Sequence, residues 1–219
     1  MSELRAGAPL AVGYESLPTS GEGPGILVLH AWWGLNDFFR DLCDRLATAG
    51  FVVVAPDLWG GTVVTTVAEA EGLLQQRDGE AISQAVKDAI AYLRAHPATR
   101  GTGLGALGFS MGAAWALDVA GSHPELRAIV LFYGVSEGNF AAMQAGFLGH
   151  FAENDPLESE EGVRWLEGEL RGAGCEVQFH RYADVSHWFF EEDRPDAYNA
   201  PAATLAWERT LAFLRERLV

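Results

Sequence analysis

Gly108-Phe109-Ser110-Met111-Gly112 is a G-x-S-x-G pentapeptide. The apolar stretch Leu104-Gly105-Ala106-Leu107 precedes it and a helix-forming run, Ala113 to Ala120, follows. Strand, sharp turn and helix are the setting in which such a serine becomes a nucleophile, its hydroxyl held clear of its neighbours with a helix N-terminus behind it. The turn strains the central residue, and glycines two positions to either side relieve the crowding. With 25 glycines in 219 residues the pentapeptide alone is weak; the flanking strand and helix signals carry it.

A serine hydroxyl needs a base to take its proton, and the base needs a group that fixes its tautomer. In strand–turn–helix nucleophiles of this kind the order along the chain is serine, acid, histidine, each after a later strand. His187 follows the strand Val177 to Tyr182 and the short loop Ala183-Asp184-Val185-Ser186, which is where the base is expected. His30 ends an earlier strand and reads as a brace for the loop after it. His150 and His180 lie within strands and read as sheet or core histidines, and His96 and His123, each next to a proline or helix end, as solvated caps. For the acid, Asp155 in Ala152-Glu153-Asn154-Asp155-Pro156 follows the strand Phe147 to Phe151. Glu153 reads as solvated, Asp184 as a turn former, and Asp57 as a residue that bonds loop amides. Two backbone amides should hold the oxyanion of a tetrahedral intermediate, those of Met111 and Trp32.

Elements that would position these groups alternate along the chain. Ile26 to His30, Phe51 to Ala55, Leu104 to Phe109, Ala128 to Phe132, Phe147 to Phe151 and Val177 to Tyr182 read as strands. Asn36 caps a helix with Phe38, Phe39, Leu42, Cys43 and Leu46 on one face, stopped by Gly50. Further helices are read over about Glu80 to Ala95, around Val163, Leu166 and Leu170 up to Gly172, and over about Ala202 to Leu218. Strands this apolar, separated by helices, imply a mostly parallel central sheet with helices on both faces. Residues 1–20 read as an edge strand or arm. One α/β domain over residues 1–219 is expected, with 49% hydrophobic residues to fill its core.

The formal net charge of −15 argues against nucleic acid or an anionic membrane as partner. Cys43 and Cys175 are too few for a disulfide framework and read as small buried hydrophobes, so no metal site is expected of them. With no signal segment or transmembrane run read, the expectation is a cytoplasmic monomer or small homo-oligomer. Trp32, Trp33, Trp188, Phe189, Phe190 and Tyr133 cluster around predicted strand ends. Core packing accounts for Phe189 and Phe190 as well as a pocket role does; Trp32 and Trp188 are the stronger pocket-wall candidates, with Trp33 and Tyr133 as further substrate contacts.

Taken together, Trp32-Trp33-Gly34-Leu35-Asn36, Ala55-Pro56-Asp57-Leu58, the serine pentapeptide, Phe132-Tyr133-Gly134-Val135, Asn154-Asp155, Ser186-His187 and Glu208-Arg209-Thr210-Leu211-Ala212-Phe213-Leu214 resemble the dienelactone hydrolase family of α/β hydrolases. The resemblance runs from about residue 24 to the C-terminus. It implies an α/β-hydrolase fold, a triad of Ser110, Asp155 and His187, oxyanion amides at Trp32 and Met111, and no cofactor. The sequence departs from the family's founding enzymes at several points. Ser110 stands where they use cysteine, and Ala31 where they place a glutamate against it. Glu191 stands where one of two carboxylate-binding arginines is expected, with Arg194 and Arg77 as loose counterparts of the pair. These departures point to a general serine esterase acting on small-molecule esters, with a dienelactone-type lactonase as the alternative. A non-catalytic binding protein on the same scaffold is the alternative of another class. The short stretch between Tyr133 and Phe147 leaves no room for a large cap domain, which suits small or medium esters.

Overall fold

The computed structural model describes residues 13–219. Its centre is a seven-stranded sheet in the order β1-β3-β2-β4-β5-β6-β7, built from β1 (Gly13–Ser16), β2 (Gly23–Leu29), β3 (Val52–Pro56), β4 (Thr99–Phe109), β5 (Leu126–Phe132), β6 (Gly146–Ala152) and β7 (Val177–Tyr182). All pairings are parallel except that of β1, which runs antiparallel along the edge of β3. The early part of the chain is thus an edge strand where the structure describes it; residues 1–12 lie outside the described residues.

Side chains alternate between the two faces with the strand period of two. Ile26 and Val28 pack into one core with Phe39 of α1 (Asp37–Thr48) and Phe213 of α6 (Ala200–Leu218). Leu27 and Leu29 pack into the other, with α3 (Gly79–Ala95), α4 (Met111–Ala120) and α5 (Glu160–Gly172). α1 starts where the sequence suggests, the Asn36 side chain accepting the Phe39 N–H at 3.2 Å. It buries Phe38, Phe39, Leu42, Cys43 and Leu46, and each large apolar group contributes roughly 1.5–3 kcal/mol.

Two elements exceed the sequence reading. β4 begins at Thr99, five residues before Leu104, because Gly23 and Pro24 of β2 pair with Thr99 and Arg100 ahead of a register shift. α2 (Val67–Gln76) was not expected at all; only Ala70 is buried along it, so it carries no apolar stripe, and a Thr66–Glu69 capping box starts it. Between β5 and β6 the chain forms only a single 3-10 turn, Phe140–Ala142. Among the described residues no helix is long and apolar enough to cross a membrane.

Candidate active site

The parallel strands all end at the same edge of the sheet, and the chemistry-bearing residues gather there. Ser110 follows β4, the central strand, with φ +50 and ψ −112. Its own N–H donates to Phe132 O at 2.9 Å and its carbonyl accepts from Ala113 N at 2.9 Å, which closes the turn into α4. A Cβ on Gly108 would overlap the Gly112 carbonyl, and one on Gly112 would overlap the Leu29 carbonyl at the end of β2. The two glycines therefore let the turn fold on itself and press against the neighbouring strand.

The structure brings Ser110, His187 and Asp155 together in one hydrogen-bonded series. The Ser110 hydroxyl lies 2.9 Å from His187 Nε2, and His187 Nδ1 lies 2.7 Å from Asp155 Oδ2. The His187 and Asp155 side chains are 1% and 3% exposed. Asp155 Oδ1 accepts the N–H groups of Leu157 at 2.8 Å and Glu158 at 3.1 Å, so its carboxylate is fixed by two amides while the other oxygen faces the imidazole. With Asp155 accepting at Nδ1, the proton sits on that nitrogen and Nε2 is free to accept from the serine. The Tyr133 ring packs 4.9 Å from the His187 ring, and the Trp188 ring meets its edge at 4.9 Å. Among the described residues the non-glycine positions with positive φ are Ser110, Tyr133, Asp184 and Trp188. All four follow strands that end at this edge, and backbone strain concentrates where a fold holds functional groups.

The other histidines and acids have their own partners. His30 is buried; its Nε2 accepts the Leu58 N–H at 3.0 Å and its Nδ1 donates to Ala31 O at 2.6 Å. Burial lowers it to about 4, so it stays neutral and braces the loop that carries Trp32. Asp57 accepts from the amides of Trp59 and Gly61 at 3.0 and 2.7 Å. His150 is buried between the Tyr182 hydroxyl and Thr210 Oγ1, at 2.8 and 3.0 Å, and burial holds it well below its ordinary value. His96 and His123 differ from the solvated caps expected. Their side chains are only 11% and 19% exposed, because each ring turns onto a carboxylate, Glu15 and Glu125 respectively. Cys43 is buried and Cys175 half-buried ahead of β7, and both are free thiols.

A cavity of about 570 Å³ opens at Ser110. Trp32, Met111, Trp115 and Val135 form apolar wall, α2 and the residue that ends it supply Leu74 and Arg77, and Glu158 lines the cavity beside Val135. Of the substrate-contact candidates, Trp32 and Arg77 line this cavity. The side chains of Trp33 and Tyr133 are buried away from it. Trp33 lies beneath the Arg194 guanidinium, 3.4 Å from the ring centre, and the Tyr133 hydroxyl donates to Glu191 Oε1 at 2.7 Å. Arg194 also donates to Thr65 O at 2.9 Å and does not reach the cavity. Trp188 is half-buried, stacked 6.0 Å from Trp32. Sequence reasoning missed Trp115, five residues beyond Ser110 on α4, and Glu158, three beyond Asp155. It also read Glu191 only as a missing arginine, whereas the carboxyl is fully buried and desolvation pushes it up to about 8. Among the described residues no group of three His, Cys, Asp or Glu is arranged to hold a metal ion.

Comparison with known proteins matches residues 12–218 to the dienelactone hydrolase family. A protein of Aquifex pyrophilus named Protein usf is 30% identical over 216 residues, covering 94% of this chain and 93% of that protein. A Bradyrhizobium protein named "Probable 2-oxo-3-(5-oxofuran-2-ylidene)propanoate lactonase" is 29% identical, covering 91% of this chain and 86% of its own length. Among solved structures, a dienelactone hydrolase-like promiscuous phosphotriesterase from metagenomic libraries superposes with a TM-score of 0.82 at 27% identity, over 92% of this chain and 89% of the other. The acylaminoacyl peptidase of Pyrococcus horikoshii shares the fold, with a TM-score of 0.74 at 16% identity over 94% of this chain and 39% of the peptidase.

Proposed function

The chain belongs to the dienelactone hydrolase family, and from that premise we propose that it is a serine hydrolase cleaving carboxylic esters through an acyl-enzyme intermediate. Ser110 Oγ attacks the ester carbonyl while His187 Nε2 takes its proton. Asp155 holds the imidazole in the tautomer that can accept and stabilises the imidazolium that forms. The amides of Met111, at the open first turn of α4, and Trp32, after β2, donate to the oxyanion. Collapse of the intermediate expels the alcohol, which receives the proton from His187. Water then attacks the acyl-serine with His187 again as base, releasing the acid and restoring Ser110. The observation that carries this reading is the series Ser110–His187–Asp155 at 2.9 and 2.7 Å. The chemistry needs no metal or organic cofactor, and a small-molecule ester is the partner; the net charge of −15 disfavours nucleic acid and anionic membranes.

The test is labelling by a fluorophosphonate probe together with hydrolysis of a p-nitrophenyl ester. Wild-type protein labels and turns over; Ser110→Ala does neither while keeping its melting temperature. Folded wild-type protein that fails to label is a binding protein on a hydrolase scaffold and not an enzyme of this kind. A second reading, a lactonase for anionic enol-lactones, is favoured by Arg77 lining the Ser110 cavity. It requires kcat/KM on such a lactone to exceed that on simple esters and to collapse in Arg77→Ala.

A further inference from the structure

The cavity at Ser110 is lined by four ionisable side chains besides the serine: Arg77, Asp118, Glu137 and Glu158. Arg77, Asp118 and Glu137 are exposed at the rim, where solvent screens them; Glu158 is the half-buried one. Its Oε1 accepts the Val135 N–H at 3.2 Å, which anchors the carboxyl against the wall beside the Ser110 turn. Among the described residues no Arg, Lys or His approaches it within ion-pair distance, although twelve such pairs form elsewhere. Arg77, the cation that shares the cavity, spends Nη1 on the Leu74 carbonyl at the end of its own helix. A carboxylate withdrawn from water without a counter-ion is costly, and a ligand cation placed beside it removes that cost. The indoles of Trp32 and Trp115 line the same space, and aromatic faces attract alkylammonium groups.

We infer that Glu158 determines the specificity of this cavity, and that the substrates it favours are esters carrying an alkylammonium group close to the scissile bond rather than esters carrying a carboxylate. The inference rests on the proposed ester hydrolysis at Ser110. It runs against the anionic lactone reading, since a substrate carboxylate would face Glu158 and two rim acids with one exposed arginine in support. Burial pushes the Glu158 carboxyl up to about 7, with the Val135 N–H opposing and the Asp155 charge adding to the rise. Ammonium recognition therefore operates fully near pH 8.

The experiment compares matched sets of esters near pH 8 and low ionic strength: a trimethylammonium ester, its neutral tert-butyl isostere, and a carboxylate analogue, with the charge placed on the acyl side in one set and the alcohol side in another. Fluorophosphonate labelling comes first; folded wild-type protein that does not label overturns the hydrolase reading and this inference with it. In labelling protein, kcat/KM for the ammonium ester is expected to exceed that for its isostere by about tenfold in one of the sets, mainly through KM, with the carboxylate ester slowest. In Glu158→Gln the ammonium-to-neutral ratio falls towards one, and because the readout is a ratio, a general loss of activity cancels. An unchanged ratio overturns the inference while leaving ester hydrolysis intact. So does a wild-type preference for the carboxylate ester that disappears in Arg77→Ala. If Glu158→Gln does not fold, wild-type protein decides: phenyltrimethylammonium must inhibit neutral-ester hydrolysis competitively and more strongly than tert-butylbenzene, and equal inhibition refutes the claim.

Discussion

Glu191→Gln isolates the cost of a buried carboxyl beside the candidate site. Glu191 is 0% exposed, its Oε1 accepts from the Tyr133 hydroxyl, and its Oε2 has no partner. Burial raises its folded value from 4.5 to about 8, with the Tyr133 hydrogen bond opposing the rise and the Asp193 charge adding to it. Below the unfolded value both states hold the proton and the group costs nothing. As pH rises above it, the unfolded chain releases its proton while the native protein keeps it, so stability falls by about 1.4 kcal/mol per pH unit. The loss levels off near pH 8, where the native group also ionises, at about 5 kcal/mol in total. Glutamine keeps the shape and the Tyr133 contact but does not titrate. Its unpaired amide shifts stability by an amount independent of pH, leaving the slope as the signal. Urea unfolding of both proteins from about pH 5 to about pH 7.5 should show the variant gaining about 3 kcal/mol on the wild type, or roughly 6–12 °C in melting temperature. Parallel stability curves would mean that Glu191 is ionised in the native protein, and the reasoning from its burial would be wrong.

Asp155→Asn should lower kcat by about 10⁴ with little change in KM, because the amide can keep the Leu157 and Glu158 contacts yet no longer holds the proton-accepting tautomer of His187; steady-state kinetics on a p-nitrophenyl ester checks this, and near-normal kcat refutes it. Gly112→Ala should cost about 3 kcal/mol or more and remove activity, since the new methyl meets the backbone carbonyl of Leu29, which has no rotamer to yield; a melting curve within a degree or two of wild type would contradict the close approach of the turn to β2.

What the sequence revealed and what it concealed follow from different physics. The Ser110 turn was legible because its backbone demands glycine on both sides, Asp155 because a fully buried, largely apolar strand precedes it, and His187 because only a short loop separates it from the strand Val177 to Tyr182, even though Gln178, His180 and Arg181 interrupt that strand's apolar pattern. The bracing role of His30 and the amide contacts of Asp57 were legible because each ends an apolar run. α2 was not legible, as it buries only Ala70 and so lacks helical periodicity; its one signal was the Thr66–Glu69 spacing. Trp33 and Tyr133 sit at strand ends beside the site, but composition does not reveal which way a side chain turns. Their burial depends on Arg194 and Glu191, more than fifty residues further along the chain. Glu158 resembled any loop glutamate until the cavity and the missing counter-ion were seen together.

The strand order has a consequence for how activity is acquired. Ser110 and His187 are separated by 77 residues, and Asp155 and His187 by 32. The three stand on the ends of β4, β6 and β7, the last of which is an outer strand of the sheet. No contiguous segment holds the reacting groups, and contacts this distant in sequence close late and slowly during folding. Under the proposed mechanism, an intermediate that had assembled the middle of the sheet but not yet docked β7 would hold Ser110 without His187, and would hydrolyse nothing until that outer strand was in place.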